Sequence, residues 1–267
     1  MTTVAKLMSL KGRRALITGA AGHIGRVIAQ TLAELGADLL LVDLPGANYG
    51  TLVEETERDW HVKVQTLECN LELQGDRNRL IDCLRTQQSG LDVLVNNASF
   101  TGDTGLQGWV TDFEHQTVEA WRRAIEVTLT AAFDLSKGFA PLLKQSNGGS
   151  IINIASIYGS YGPDYRLYDG TEMGNPAAYA ASKGGLIQLT RWLATTLAPH
   201  VRANSLSPGG VFRNQPEVFV KRYEARTPLA RMATEDDFRG AIAYLASDLS
   251  LYFTGQNLAV DGGWGVW

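Results

Sequence analysis

The sequence predicts an α/β fold, a doubly wound, mainly parallel sheet of seven strands with helices on both faces. Two observations predict it. Short apolar runs alternate with longer helical patterns along most of the chain, the pattern of βαβ units. The runs carry few polar residues, as strands covered on both faces require. Right-handed crossovers wind such units into one open, Rossmann-type sheet.

The elements are expected in this order. A buried strand over Ala15–Thr18 leads into a helix over Ile24–Leu35, and Gly36 stops it. A second strand, Leu39–Val42, ends at Asp43; a polar helix and a strand near Val62–Leu67 follow. A helix covers Gln74–Gln87, and a fourth strand, Leu91–Val95, is closed by Asn96 and Asn97. A long helix over Thr117–Leu143 precedes a fifth strand at Ser150–Ile154, and a helix over Ala177–Leu197 follows it. Val201–Leu206 and Asn257–Val260 are the last strands. No proline- or glycine-rich linker divides the chain, so residues 1–267 are expected to form one domain. Residues 157–176 and 209–234 do not fit the simple alternation.

Composition narrows the function. The chain has 267 residues, 45% of them hydrophobic, with a formal charge of −4 and a pI near 5.6. An acidic protein with dispersed charge fits neither a nucleic-acid partner nor an anionic membrane surface. No apolar stretch of about 18 residues is present to cross a membrane, and the N-terminus lacks the apolar core of a signal peptide. Cys69 and Cys83 have no metal-ligand spacing, so no metal is expected; two isolated cysteines fit a reducing, cytoplasmic setting.

The segment TGAAGHIG, Thr18 to Gly25, joins the first strand to the first helix. A helix N-terminus offers free N–H groups and partial positive charge to a pyrophosphate. Gly19, Gly22 and Gly25 remove Cβ atoms around that turn. His23, in the turn, and Ile24, at the start of the helix, are candidate cofactor contacts; His23 also fits a solvated turn histidine. Asp43, 18 residues after Gly25 at the end of the second strand, is placed to accept from both adenosine ribose hydroxyls. Its charge would repel a 2′-phosphate, so NAD(H) is expected over NADP(H). Glycine turns of this kind also occur merely to make a tight strand-to-helix connection.

Tyr179 and Lys183 lie four apart and share a face of the predicted helix. A tyrosine at its ordinary pKa of ~10 is a poor base at neutral pH. A neighbouring ammonium is expected to lower it, and the same ammonium can bond a nicotinamide ribose. Ser156 closes the apolar run SIINIA at the C-terminal edge of the sheet, where its hydroxyl can orient a substrate oxygen. Of the nine tyrosines only Tyr179 has a lysine four residues on. Such a pair also arises by chance, and its position after the fifth strand gives it weight.

With these motifs in order, the chain resembles the short-chain dehydrogenase/reductase family in its compact, single-domain branch, along nearly its whole length. TGAAGHIG resembles the cofactor turn, and Asp43 the NAD-selecting acid. Asn96–Ser99 (NNAS) resembles the segment after the fourth strand, and Ser207–Val211 (SPGGV) the segment covering the nicotinamide. TGQNLAVDGGW resembles the closing strand and turn. The resemblance implies catalysis by Ser156, Tyr179 and Lys183. It implies cofactor contacts from Asn70, Leu71, Asn97, Ala98, Ser99, Tyr179, Lys183, Pro208, Gly209 and Val211. Family members are commonly dimers or tetramers, so a homo-oligomer is expected.

Four departures stand out. The second turn glycine is Gly22, where the branch usually has one at the position of His23. Asn70 stands for an adenine-binding aspartate, and Thr128 for an asparagine that holds a proton-relay water. The gap from Ser156 to Tyr179 is about ten residues longer than usual. The extra residues, within 157–176, form a tyrosine-rich insertion that resembles a loop of reductases in bacterial surface-sugar and flagellin-modification pathways. Tyr165 is its candidate substrate contact, for a polar, sugar-like ligand; the alternative is a loop packed by its own aromatics. Residues 209–234 resemble a substrate lid, in which Arg213, Arg222 and Arg226 could hold an anionic group, or form a solvated face.

These features lead to an NAD(H)-dependent enzyme interconverting a secondary alcohol and a ketone on a small molecule. Two alternatives stay open: an epimerase or dehydratase working through a keto sugar, and a dinucleotide-binding sensor without turnover.

Overall fold

The computed structural model describes residues 2–87, 90–100 and 105–267. A short helix α1 (Val4–Met8) precedes β1 (Arg14–Thr18), α2 (His23–Glu34), β2 (Asp38–Asp43), α3 (Leu52–Trp60), β3 (Val64–Glu68), α4 (Gln74–Thr86) and β4 (Val93–Asn96). Then come α5 (Val118–Ile125), a π-helical turn (Glu126–Thr130), α6 (Ala131–Gln145), β5 (Gly149–Ile154), α7 (Ala177–Leu197) and β6 (Val201–Pro208). Helices α8 (Glu217–Arg226) and α9 (Arg239–Ala246) and strand β7 (Asn257–Val260) complete the chain.

The seven strands form one sheet in the order β3-β2-β1-β4-β5-β6-β7, and every pairing is parallel. Alternation along the strands divides the core. Ala15, Ile17, Leu39, Leu41, Val93 and Val95 face α2 and α9 through Ile28, Leu32, Ile242 and Leu245. Leu16, Leu40, Val42, Leu94 and Ile151 face α4, α6 and α7 through Leu84, Leu135, Phe139 and Leu193. The two-sided covering explains why the strands read as continuous apolar runs.

Three elements differ from the sequence expectation. Helix α9 lies outside the expected elements; its N-terminal signal is the reciprocal cap of Thr234 and Asp237, followed by buried Phe238, Ile242 and Leu245. The short helix α1, which buries no side chain, left no periodic signal. The long helix expected over Thr117–Leu143 is interrupted by the π-turn, whose wider ring of hydrogen bonds locally rotates the helix face. That turn carries Thr128.

Candidate active site

The chain order reverses between β1 and β4, and the crevice outside the carboxyl ends of a parallel sheet opens at such a point. A cleft of about 1010 Å³ lies there, bordered by the residues that follow β1, β2, β3, β4, β5 and β6.

Its first half is built on the glycine turn. Gly19 has φ +62°, and a Cβ on it would stand 2.9 Å from the Ala98 backbone. A Cβ on Gly25 would collide with the Gly19 carbonyl. Gly22 caps α2, leaving the first N–H groups of the helix toward the cleft beside His23 and Ile24. Asp43 accepts from Ala21 N and Leu44 N, each at 2.8 Å, so the end of β2 and the turn are held together by one carboxylate. Asn97 donates to the carbonyls of Thr18 and Gly19 at 2.9 and 3.0 Å and fixes the turn against β4. Asn70 and Leu71 line the same half, with Asn70 Oδ1 accepting from Glu72 N at 3.1 Å. This cradle, whose turn a Cβ at Gly19 or Gly25 would force apart, fits a dinucleotide with its pyrophosphate on the helix end.

Ser156, Tyr179 and Lys183 all line the second half. Ser156 follows β5, its hydroxyl accepting from Tyr158 N at 3.2 Å. Lys183 is only 3% exposed, and its ammonium donates to the Ile154 carbonyl at 2.7 Å. It stands 5.7 Å from the Tyr179 ring centroid. Burial pushes Lys183 down to about 7. Burial also holds Tyr179 above its ordinary value, while the Ser156 hydrogen bond and the Arg213 charge pull it down. The Lys183 ammonium stands beside the ring but is aimed at the Ile154 carbonyl, whereas the Ser156 hydroxyl and the Arg213 charge oppose the effect of burial on the phenol. Thr128 is buried behind the cleft, with its hydroxyl 3.2 Å from that of Ser99. Ala98, Ser99, Pro208, Gly209 and Val211 complete the lining between the halves.

The insertion and the 209–234 segment meet over this end. Arg213 lines the cleft. Three other expected substrate residues do not. Tyr165 is 60% exposed and lies outside the lining. Arg222 donates to the Asp169 carbonyl at 2.5 Å. Arg226 pairs with Asp164 at 2.8 Å and covers the Trp264 ring. Their groups are spent on joining two segments of the chain, which sequence spacing does not reveal. Tyr158, Tyr168 and Asn175 line the cleft instead, with Trp109, Met173, Phe219 and Met232. None of the insertion's charged residues lines the cleft, and Asp164 turns to Arg226, which removes the support they lent to a polyhydroxylated ligand.

Comparison with known proteins agrees with this geometry. The family model described as enoyl-(acyl carrier protein) reductase matches residues 19–265. The chain is 32% identical over 263 residues to the 3-oxoacyl-[acyl-carrier-protein] reductase FabG of Thermotoga maritima, covering 96% of this chain and 99% of the relative. It is 37% identical over 256 residues to the trans-4-hydroxycyclohexanecarboxylate dehydrogenase of Sinomonas cyclohexanicum, covering 93% and 91%. Among solved structures, a gluconate 5-dehydrogenase from Burkholderia cenocepacia in complex with NADP and tartrate superposes with a TM-score of 0.85. It is 28% identical, over 99% of this chain and all of that one. With its parallel sheet, glycine cradle and Ser156–Tyr179–Lys183 cluster, the chain belongs to the short-chain dehydrogenase/reductase family of oxidoreductases.

Proposed function

We propose that the protein is an NAD(H)-dependent enzyme that interconverts a secondary alcohol and a ketone on a small polar molecule. The observation that carries this reading is the convergence of Ser156, Tyr179 and Lys183 at one end of a cleft whose other end is the glycine cradle. A bound nicotinamide supplies the hydride acceptor or donor. Ser156 holds the substrate oxygen, Tyr179 takes or returns its proton, and Lys183, fixed by the Ile154 carbonyl, sets the charge beside the phenol. The relatives named for hydroxy acids support alcohol–ketone chemistry.

The choice of NAD(H) rests on Asp43. Its carboxylate lines the cleft where the adenosine ribose of a dinucleotide on the turn would lie. The Burkholderia relative holds NADP, so cofactor preference varies among similar chains and is tested directly. Nicotinamide absorbance is followed with NAD+ and NADP+ and a panel of secondary alcohols. Net reduction of NAD+ with formation of the ketone is expected. A product formed without net cofactor change would mark an epimerase or dehydratase instead.

A further inference from the structure

The groups that face the substrate end of the cleft separate into two kinds. The first is apolar: Trp109, Met173, Phe219 and Met232. The second is polar, but most of it is already engaged. The hydroxyls of Tyr158 and Tyr168 bond each other at 2.7 Å. Gln215 accepts from Arg213 N and donates to the Val211 carbonyl, both at 2.7 Å. The Asn175 amide stands beside the Tyr168 hydroxyl, and its Oδ1 is buried with no hydrogen-bond partner among the described residues. Beyond Ser156, the catalytic pair and the buried Asn175 Oδ1, the charged group of this end is Arg213. Its Nε donates to Glu235 at 3.1 Å, and among the described residues no acceptor meets its two terminal nitrogens. The side chain is 35% exposed, on the cleft wall.

Charge is divided along the cleft in the same way. Its lining carboxylates, among the described residues, are Asp43, which ends β2, and Glu72, which follows β3. Asp43 is tied to the glycine turn, and Glu72 takes both bonds of Arg123 at 2.7 and 3.1 Å. No described carboxylate lines the end beyond β5 and β6; Glu235, bonded to Arg213 Nε, lies outside the lining. A guanidinium oriented through its Nε presents its remaining edge as a fork suited to a carboxylate. A neutral polyol would set its outer hydroxyls against Met and Phe side chains, where each unpaired group is costly.

We propose that the substrate is a hydroxy or keto carboxylate with a compact hydrocarbon body. Its carboxylate is held by the terminal nitrogens of Arg213 and its body by Trp109, Met173, Phe219 and Met232. This rests on the alcohol–ketone reading above and deepens it.

Four probes separate body from charge: 4-hydroxycyclohexanecarboxylate, 4-methylcyclohexanol, gluconate and sorbitol, each assayed with both nicotinamide cofactors. The unaltered enzyme should give the highest kcat/KM with the cyclic hydroxy acid. In Arg213→Gln the loss on that acid should exceed the loss on 4-methylcyclohexanol at least tenfold, mainly through KM, and Arg213→Lys should recover part of it. Equal losses on acid and neutral alcohol would reduce Arg213 to an influence on Tyr179 and overturn the proposal. Preference for sorbitol or gluconate would overturn the hydrocarbon body. Binding of the unreactive cyclohexanecarboxylate gives a second readout. It should raise the Tm of the cofactor-loaded protein more than that of Arg213→Gln, and an equal shift in both would count against the site. Turnover of none of the four probes would defeat the alcohol–ketone reading, while the Tm comparison would still decide the carboxylate site.

Discussion

Arg226 on α8 and Asp164 in the insertion, 62 residues apart, form an ion pair at 2.8 Å. The same guanidinium lies 4.7 Å from the Trp264 ring centroid, and Trp264 stacks on Tyr223 at 4.4 Å. Arg222, one turn earlier, holds the carbonyl of Asp169. Insertion, α8 and C-terminal turn are thereby one packed unit around Leu167, Tyr168, Phe219 and Tyr223.

Breaking that tie should act on substrate and leave the dinucleotide half untouched. Asp164→Asn is expected to raise the substrate KM severalfold with unchanged cofactor affinity, measured by steady-state kinetics and cofactor titration. The Asp164 carboxyl is held down to about 2, first by its hydrogen bond to Arg166 and further by the Arg226 charge. A depressed carboxyl contributes stability above its ordinary range near 3.8 and loses it as pH falls toward about 2. Arg166 is exposed to solvent, so the contribution should stay below about 1 kcal/mol.

Tyr179→Phe keeps the ring and removes the proton-carrying oxygen. Activity should fall at least about a hundredfold, the scale of general acid–base catalysis. Cofactor affinity should barely change. A variant retaining most of its kcat would show that another group moves the proton.

Tyr179, raised by burial, is protonated near neutrality. Alcohol oxidation should therefore speed up as pH rises into the alkaline range, and ketone reduction should slow, when both directions are followed across pH. A pH-independent oxidation rate would contradict the assignment.

Lys183 offers a stability test in which the charged group costs stability, whereas the charged Asp164 contributes it. Its folded pKa is lowered to about 7 from 10.5. The unfolded chain therefore holds more protons between those values, and the burial penalty is full below about pH 7 and fades toward 10.5. Lys183→Met should abolish activity yet raise Tm by a few degrees at about pH 6, with the gain shrinking as pH rises. A lower Tm at every pH would mean that the bond to Ile154 outweighs the cost of the buried charge.

Asp43→Ala should narrow the preference for NAD(H) over NADP(H), read as the ratio of the two kcat/KM values. It also removes the acceptor of Ala21 N, so some loss with both cofactors is expected. Equal use of both cofactors by the unaltered enzyme would show that Asp43 does not select.

The sequence by itself determined the sheet and the cluster on its edge. Strand and helix periodicities are local, and Gly19, Asp43 and Ser156 sit at strand ends because parallel strands deliver their C-terminal residues to one edge. Tyr179 and Lys183 share a helix face by spacing alone. Only the tertiary structure decided which way the remaining polar side chains turn. Arg213, Arg222 and Arg226 look equivalent in the sequence. They part because Asp169 and Asp164, 53 and 62 residues away, each take a terminal nitrogen of the last two, whereas Gln215 holds the Arg213 backbone, Glu235 holds its Nε, and among the described residues no acceptor meets its terminal nitrogens. Tyr165 and Tyr168 are likewise neighbours in sequence, but packing against Phe219 draws Tyr168 into the cleft wall and leaves Tyr165 in solvent. A long arginine or tyrosine side chain reaches the partner that folding brings nearest, and that partner is set by contacts no local pattern encodes.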